Sequence, residues 1–326
     1  MRRWLLALLI TRIGLTEVLP HQFDLPARPP RGVVILVHGS GAHSRDEELS
    51  VVTAGRAANP FFKQLAAALN RKDIVALRYD KRNFASPQDP ALRTTPLNAF
   101  VEDVLTAAQL ARERFPQLPI VLLGHSEGCT VALHAAARDP LLQSIGLISF
   151  TGNTLEAIVH EQYANRYPFY FVRFDSNADG ELSPAEAPEE LRRQLPVLDL
   201  DLNGSISYLE FQAGNFSNLL IKPLLSDSWR REEAALPTPG QRVEATSARL
   251  AFFQGEWDNQ TPAYAVKAVE IAEKHVWKKG NKRFVYFPRC GHALDPRSSP
   301  EDTVYQLTPE AHLDRVAEVV AEFLLR

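Results

Sequence analysis

The chain has 326 residues, 45% of them apolar and 23% charged, with a formal net charge of -3. That is room for a large α/β sheet with an insertion, and the balance excludes a disordered chain, a coiled coil or a membrane bundle. So small a charge offers no field for nucleic acid, and no stretch reaches the ~20 apolar residues of a membrane span, so neither nucleic acid nor stable membrane insertion is expected.

At the start, Met1-Arg2-Arg3 and the apolar run Trp4 to Ile10 are like a short secretory signal without a small-x-small cleavage site. The rival reading is a first element of the fold, so cytoplasmic and exported locations both stay open. Gly32 leads into Val33-Val34-Ile35-Leu36-Val37, an unbroken apolar run suited to a parallel strand covered on both faces, ending in His38-Gly39-Ser40-Gly41. Asn59-Pro60-Phe61-Phe62 predicts a helix through Asn70, with Asn59 as N-cap and Pro60 in the first turn. Next come a strand over Ile74 to Tyr79 and a long helix from about Pro96 to Phe115, whose Phe100, Val104, Ala107, Ala108 and Ala111 recur at helical spacing.

The run Ile120 to Leu123 then breaks into Gly124-His125-Ser126-Glu127-Gly128, with helical residues Thr130 to Arg138 behind it. Strand, Gly-x-Ser-x-Gly and helix together make a nucleophile elbow: a turn so tight that both glycines must lack side chains, leaving Ser126 strained and its hydroxyl presented at the sheet edge. Ile145 to Phe150 is the next strand. Alternation stops there for almost a hundred residues and resumes with the strand Arg249 to Phe253, the helix Tyr264 to Lys274, the strand Arg283 to Phe287 and a last helix from Pro309 to Leu325. This order predicts an α/β fold with a doubly wound, mostly parallel sheet. Its core, residues 1–152 and 246–326, is split by an insertion over 153–245, read as a helical cap above the carboxyl ends of the strands.

Inside the insertion, over about 168–216, a twelve-residue acidic pattern occurs twice. Its oxygen donors are Asp175, Asn177, Asp179, Ser183 and Glu186, then Asp199, Asp201, Asn203, Ser207 and Glu210, with backbone carbonyls from Glu181 and Ser205 and with Gly180 and Gly204 at the sharp turn. Oxygen donors at these positions suit Ca²⁺, and the aliphatic Leu182 and Ile206 are placed to pair the loops, so the tandem resembles an EF-hand pair. Nine acidic and two basic residues fall across 175–210, a repulsion that bound cations relieve. Only 24 positions separate the loop starts, and Pro168, Pro184, Pro188 and Pro196 limit the helices, so two structural Ca²⁺ sites are expected rather than a switch. No organic cofactor is expected.

A serine hydroxyl attacks well only when a base takes its proton and a third group orients that base. Asp258 follows one late strand and His292, in Cys290-Gly291-His292, follows another, which makes them the acid and base for Ser126; Glu256 and Asp295 are alternative carboxylates. His38 and His125 are read as packing around the loops, His43 and Asp46 as solvated, and Trp229, Trp257 and Tyr170 as packing aromatics. Cys129 and Cys290 are too few for a disulfide framework and read as small buried groups, with a single bridge left open.

His38-Gly39-Ser40-Gly41, the Ser126 elbow, Asp258 and Gly291-His292 together resemble the α/β-hydrolase superfamily, from about Arg31 to the end apart from the insertion. Arg78-Tyr79-Asp80-Lys81-Arg82 is similar to a stretch in relatives of dienelactone hydrolases, with no catalytic role assigned to it. The resemblance implies an oxyanion hole made by the amides of Glu127 and of Ser40 or Gly41. It implies a serine carboxylesterase acting on a small ester. A peptidase or acyltransferase on the same triad, and a calcium-binding interaction module on an inactive scaffold, are the other readings; acyl length and oligomeric state stay open.

Overall fold

The computed structural model describes residues 19–49, 59–82, 84, 95–187, 192–193, 195–213, 227–302 and 305–326. The signal-like start at Met1 to Ile10, Pro188 and the Tyr170 side chain lie outside the described residues.

Seven strands make the main sheet: β1 (His21–Asp24), β2 (Gly32–Val37), β3 (Ile74–Tyr79), β4 (Ile120–His125), β5 (Ser144–Ile148), β6 (Arg249–Gly255) and β7 (Lys282–Phe287), in the order β1-β3-β2-β4-β5-β6-β7. All neighbours run parallel except β1, which pairs with β3 antiparallel. The strand-and-helix order in the sequence anticipates the parallel part. It does not anticipate β1, whose four residues, His21-Gln22-Phe23-Asp24, carry little β-branched or alternating signal.

Why β2, β3 and β4 read as continuous apolar runs is plain from their burial, which is complete along each strand. Successive side chains point to opposite faces, so both faces must be covered. Val33, Ile35 and Val37 enter one cluster with α2 (Leu97–Arg114) and α3 (Glu127–Arg138), while Val34 and Leu36 enter the other with α1 (Phe61–Arg71) and the C-terminal α6 (Glu310–Val319). Helices therefore sandwich the sheet, with α4 (Leu155–Phe174) opening the insertion and α5 (Tyr264–Ala272) between β6 and β7.

One expected cap is corrected. Residue 60, not Asn59, occupies the N-cap of α1, and no side chain caps it. The Asn59 amide instead donates to the Gln306 carbonyl at 3.0 Å and the Thr308 hydroxyl at 3.1 Å, tying the entry of α1 to the segment before α6.

The insertion has a core of its own, built by Phe171, Leu182, Ala187, Leu198, Ile206 and Phe211. Its two acidic loops meet through the short antiparallel strands Glu181–Leu182 and Ile206–Ser207, with Leu182 opposite Ile206. The insertion's ends are pinned to the sheet's surroundings. Trp229 packs on Phe100 of α2 and the Gly240 amide donates to the Gly152 carbonyl at 3.1 Å, while Glu233 ties the insertion's two ends together by accepting from the Leu155 amide at 2.8 Å. Among the described residues, no helix is long and apolar enough to cross a membrane.

Candidate functional site

β4 ends and α3 begins within three residues, and Ser126 between them holds φ 54° and ψ -120°, outside the regions a serine normally adopts. The surroundings over-determine this strain. A Cβ on Gly124 would lie 2.4 Å from the Gly128 carbonyl oxygen, and one on Gly128 would lie 2.1 Å from that of Val37, so the start of α3 crosses the end of β2 at backbone contact. The Ser126 amide donates to the Ile148 carbonyl at 2.9 Å, and its carbonyl accepts from the Cys129 amide at 2.9 Å. Ser126 is 7% exposed, so the hydroxyl sits recessed rather than displayed at the edge. Cys129 and Cys290 are both free and buried, as small packing groups.

Asp258 lies in the turn after β6, fully enclosed. Its Oδ1 accepts from the amides of Gln260 at 2.8 Å and Thr261 at 3.0 Å, and its Oδ2 accepts from the Thr261 hydroxyl at 2.7 Å. His292, after β7, brings Nδ1 to 2.9 Å from Oδ2 and 3.1 Å from Oδ1. Burial alone would raise the Asp258 carboxyl, but His292 and the Thr261 donors hold it well below the usual carboxylate range. The carboxylate is therefore ionised at neutral pH and fixes Nδ1–H as its donor. The His292 carbonyl accepts from the Ser149 hydroxyl at 2.6 Å and from His125 Nε2 at 3.1 Å, and the two imidazoles stack obliquely with centroids 4.8 Å apart. That contact sets His292 beside the residue preceding Ser126.

Neither alternative carboxylate touches His292. Glu256 is exposed, and Asp295 is committed to Arg297 at 3.1 Å and to the amides of Ala293 and Gln306 at 3.2 and 2.7 Å. Asp295 thus braces the loop that carries His292.

After β2 the chain passes over the elbow: a Cβ on Gly39 would lie 3.3 Å from Ser126 Cβ. Ser40 and Gly41 follow, exposed, Gly41 with φ +105°. Glu127 opens α3, where the first amides have no intrahelical acceptor. Beneath this loop lies a polar cluster that sequence reasoning missed. Glu47, fully buried, accepts from the Gly39 amide at 2.7 Å and from His125 Nδ1 at 3.2 Å. Lys81, also buried, donates to the Gly39 carbonyl at 2.6 Å and to Glu127 Oε1 at 2.7 Å. His43 and Asp46 are not free in solvent: His43 Nε2 lies 2.6 Å from the Ser40 carbonyl, and Asp46 pairs with Arg78. Only buried charges next to glycine loops could have signalled the cluster, and burial is not visible in a single sequence.

The acidic loops fold alike. Asp175 accepts from the amides of Asp179 and Gly180 at 3.2 and 3.0 Å, and Asp199 from those of Asn203 and Gly204 at 3.0 and 2.9 Å. Asn177 and Asn203 each accept from a following amide, Glu186 folds back on Ser176 and Ser183, and Glu210 on Leu200, Asp201 and Ser207. Gly180 and Gly204 hold φ +83° and +88°. One carboxylate oxygen from each of Asp199, Asp201 and Glu210 lies within 4.8 Å of the others. Among the described residues the second loop alone gathers three carboxylates in this way, an all-oxygen set whose chemistry fits a hard cation of calcium's kind.

Residues 28–155 match the family described as serine aminopeptidase, S33. Esterase EstD of Thermotoga maritima is 32% identical over 145 residues, which are 44% of this chain and 33% of the esterase. Human monoglyceride lipase is 28% identical over 115 residues, 35% of this chain and 33% of the lipase. The matches thus span about a third of these relatives' length. Among solved structures, a Pyrococcus furiosus esterase superposes with a TM-score of 0.52 at 15% identity, covering 90% of this chain and 83% of that one. Sheet order, elbow and superposition agree: the chain has the α/β-hydrolase fold, and its match to serine aminopeptidase S33 covers less than half of it, the stretch that carries the elbow.

Proposed function

We propose that the protein is a serine hydrolase that cleaves small carboxylic esters through Ser126, His292 and Asp258. The observation that carries this reading is the strained Ser126 turn combined with the fully buried His292–Asp258 couple at neighbouring strand ends. His292 Nε2 takes the hydroxyl proton as Ser126 Oγ bonds to the ester carbonyl carbon. The resulting oxyanion is held by the Glu127 amide and one from Ser40 or Gly41. Collapse breaks the bond to the alcohol, which leaves with the proton from His292. Water, deprotonated by the same imidazole, then releases the acid and restores the serine. Asp258 keeps the ring oriented and its positive charge balanced throughout.

An ester substrate is supported by the names of the relatives, an esterase and a monoglyceride lipase. In the 153–245 insertion, read as a cap, two Ca²⁺ ions are assigned to the acidic loops: Asp175, Asn177, Asp179, Glu181 and Glu186 in the first, Asp199, Asp201, Asn203, Ser205 and Glu210 in the second. Their chemistry there is charge neutralisation that holds the insertion folded. The test is hydrolysis of short p-nitrophenyl esters beside amino-acid anilides, in wild type and Ser126→Ala. Ester turnover lost by about 10⁴-fold or more in the variant is expected; turnover intact in Ser126→Ala would refute the serine mechanism, and faster cleavage of anilides would reassign the enzyme to peptides.

A further inference from the structure

Arg78, Asp80 and Arg82 at the end of β3 all pair with partners at the rim of the sheet: Asp24 and Asp46, Arg45, and Asp103. Lys81 turns the other way. Its side chain is 5% exposed and its ammonium stands between the Gly39 carbonyl at 2.6 Å and Glu127 at 2.7 Å, 4.7 Å from the centroid of the Phe100 ring. Both contacts touch residues that flank the oxyanion side of Ser126. A peptide unit is planar and trans, so a cation bound to the Gly39 oxygen fixes the direction of the Ser40 N–H on the opposite side of the same plane. It also draws electron density toward that oxygen and makes the N–H a stronger donor. On one flank the Gly39 amide is already committed to Glu47. On the other, the Ser40 carbonyl is held by His43, an imidazole that desolvation pushes below its ordinary value rather than a permanent cation, so the Ser40–Gly41 peptide receives a weaker polarisation.

We propose that Lys81 is a positioning residue that clamps the two halves of the oxyanion hole, selecting Ser40 N–H as the partner of the Glu127 amide. It rests on the serine mechanism above. A buried cation serves this better than a neutral donor, because it grips a backbone carbonyl and a carboxylate at once and leaves neither buried group unpaired.

Steady-state kinetics on p-nitrophenyl butyrate, with melting temperature, tests the clamp. Lys81→Met is expected to lower kcat about 100-fold, the effect of an ångström-scale displacement of a catalytic group, while KM stays within about threefold. Since Lys81→Met strands Glu127 as a buried charge and destabilises the fold, Lys81→Met/Glu127→Leu is the second variant: an apolar pair restores the melting temperature while kcat stays low. Recovery of kcat along with stability in the double variant, or a Lys81→Met enzyme within about threefold of wild-type kcat, would overturn the clamp. Ser126→Ala assayed alongside separates the failures. Turnover that survives it overturns the serine mechanism and the clamp together; turnover that needs Ser126 but not Lys81 overturns the clamp alone.

Discussion

At Gly128 an added Cβ would meet the carbonyl oxygens of Val37 at 2.1 Å and His38 at 2.7 Å, both backbone atoms that cannot swing aside. Gly128→Ala therefore has to separate α3 from β2, at a cost of about 2 kcal/mol or more; urea unfolding measures it, and wild-type stability in the variant would contradict the close crossing. His125 makes a second prediction. An acceptor faces each ring nitrogen, Glu47 at Nδ1 and the His292 carbonyl at Nε2, which calls for N–H at both. Burial would raise Glu47 and lower His125, yet their mutual attraction reverses both, holding the Glu47 carboxyl at about 2 and the imidazole above its ordinary value. A depressed carboxyl contributes stability above its unfolded value of about 4.3 and loses it as pH falls toward 2; a raised imidazole contributes fully below about 6.5 and loses it as pH rises through its folded value. The melting-temperature gap between wild type and Glu47→Gln is accordingly widest between pH ~4.5 and ~6.5, where loss of the pair costs about 3 kcal/mol, and it narrows toward pH 9. A gap that grows with pH would contradict the imidazolium.

Among the elements, the proposed Ca²⁺ sites in the acidic loop pair make a prediction of their own. Like-charged oxygens gathered at Asp199, Asp201 and Glu210 repel unless a cation sits between them, and the insertion's core is only a handful of side chains. Treatment with EDTA is expected to lower the melting temperature, Ca²⁺ to restore it, and Glu210→Gln to blunt the response, because the ion contributes binding free energy to the folded state alone. No calcium by metal analysis and an unmoved transition would contradict this. Turnover should fall in part rather than vanish. The parallel strands and their helices were legible because burial on both faces writes unbroken apolar runs into β2, β3 and β4. β1 was not, since an edge strand needs no such run, and the Asn59 cap misled because the same side chain serves a tertiary contact 247 residues away. The turn at Ser126 and the pairing of Asp258 with His292 were legible as an arrangement from strand ends and glycines; the contacts of Lys81 and Glu47 were not, because they depend on which charges the fold buries.

For the molecule as a whole, the family match over residues 28–155 takes in the elbow, the loop after β2 and Lys81. Asp258 and His292 lie outside that match, far along the chain, and reach the same edge because β6 and β7 continue the sheet past β5. In the proposed mechanism these distant segments make one reactive serine. Labelling with a fluorophosphonate, which phosphonylates an activated serine with loss of fluoride, followed by peptide mass spectrometry, tests it most directly. A single adduct on Ser126 is expected in wild type, formed at least about 100-fold more slowly in His292→Ala; an unlabelled wild type, or an adduct on Ser126 whose rate ignores His292, would refute the mechanism.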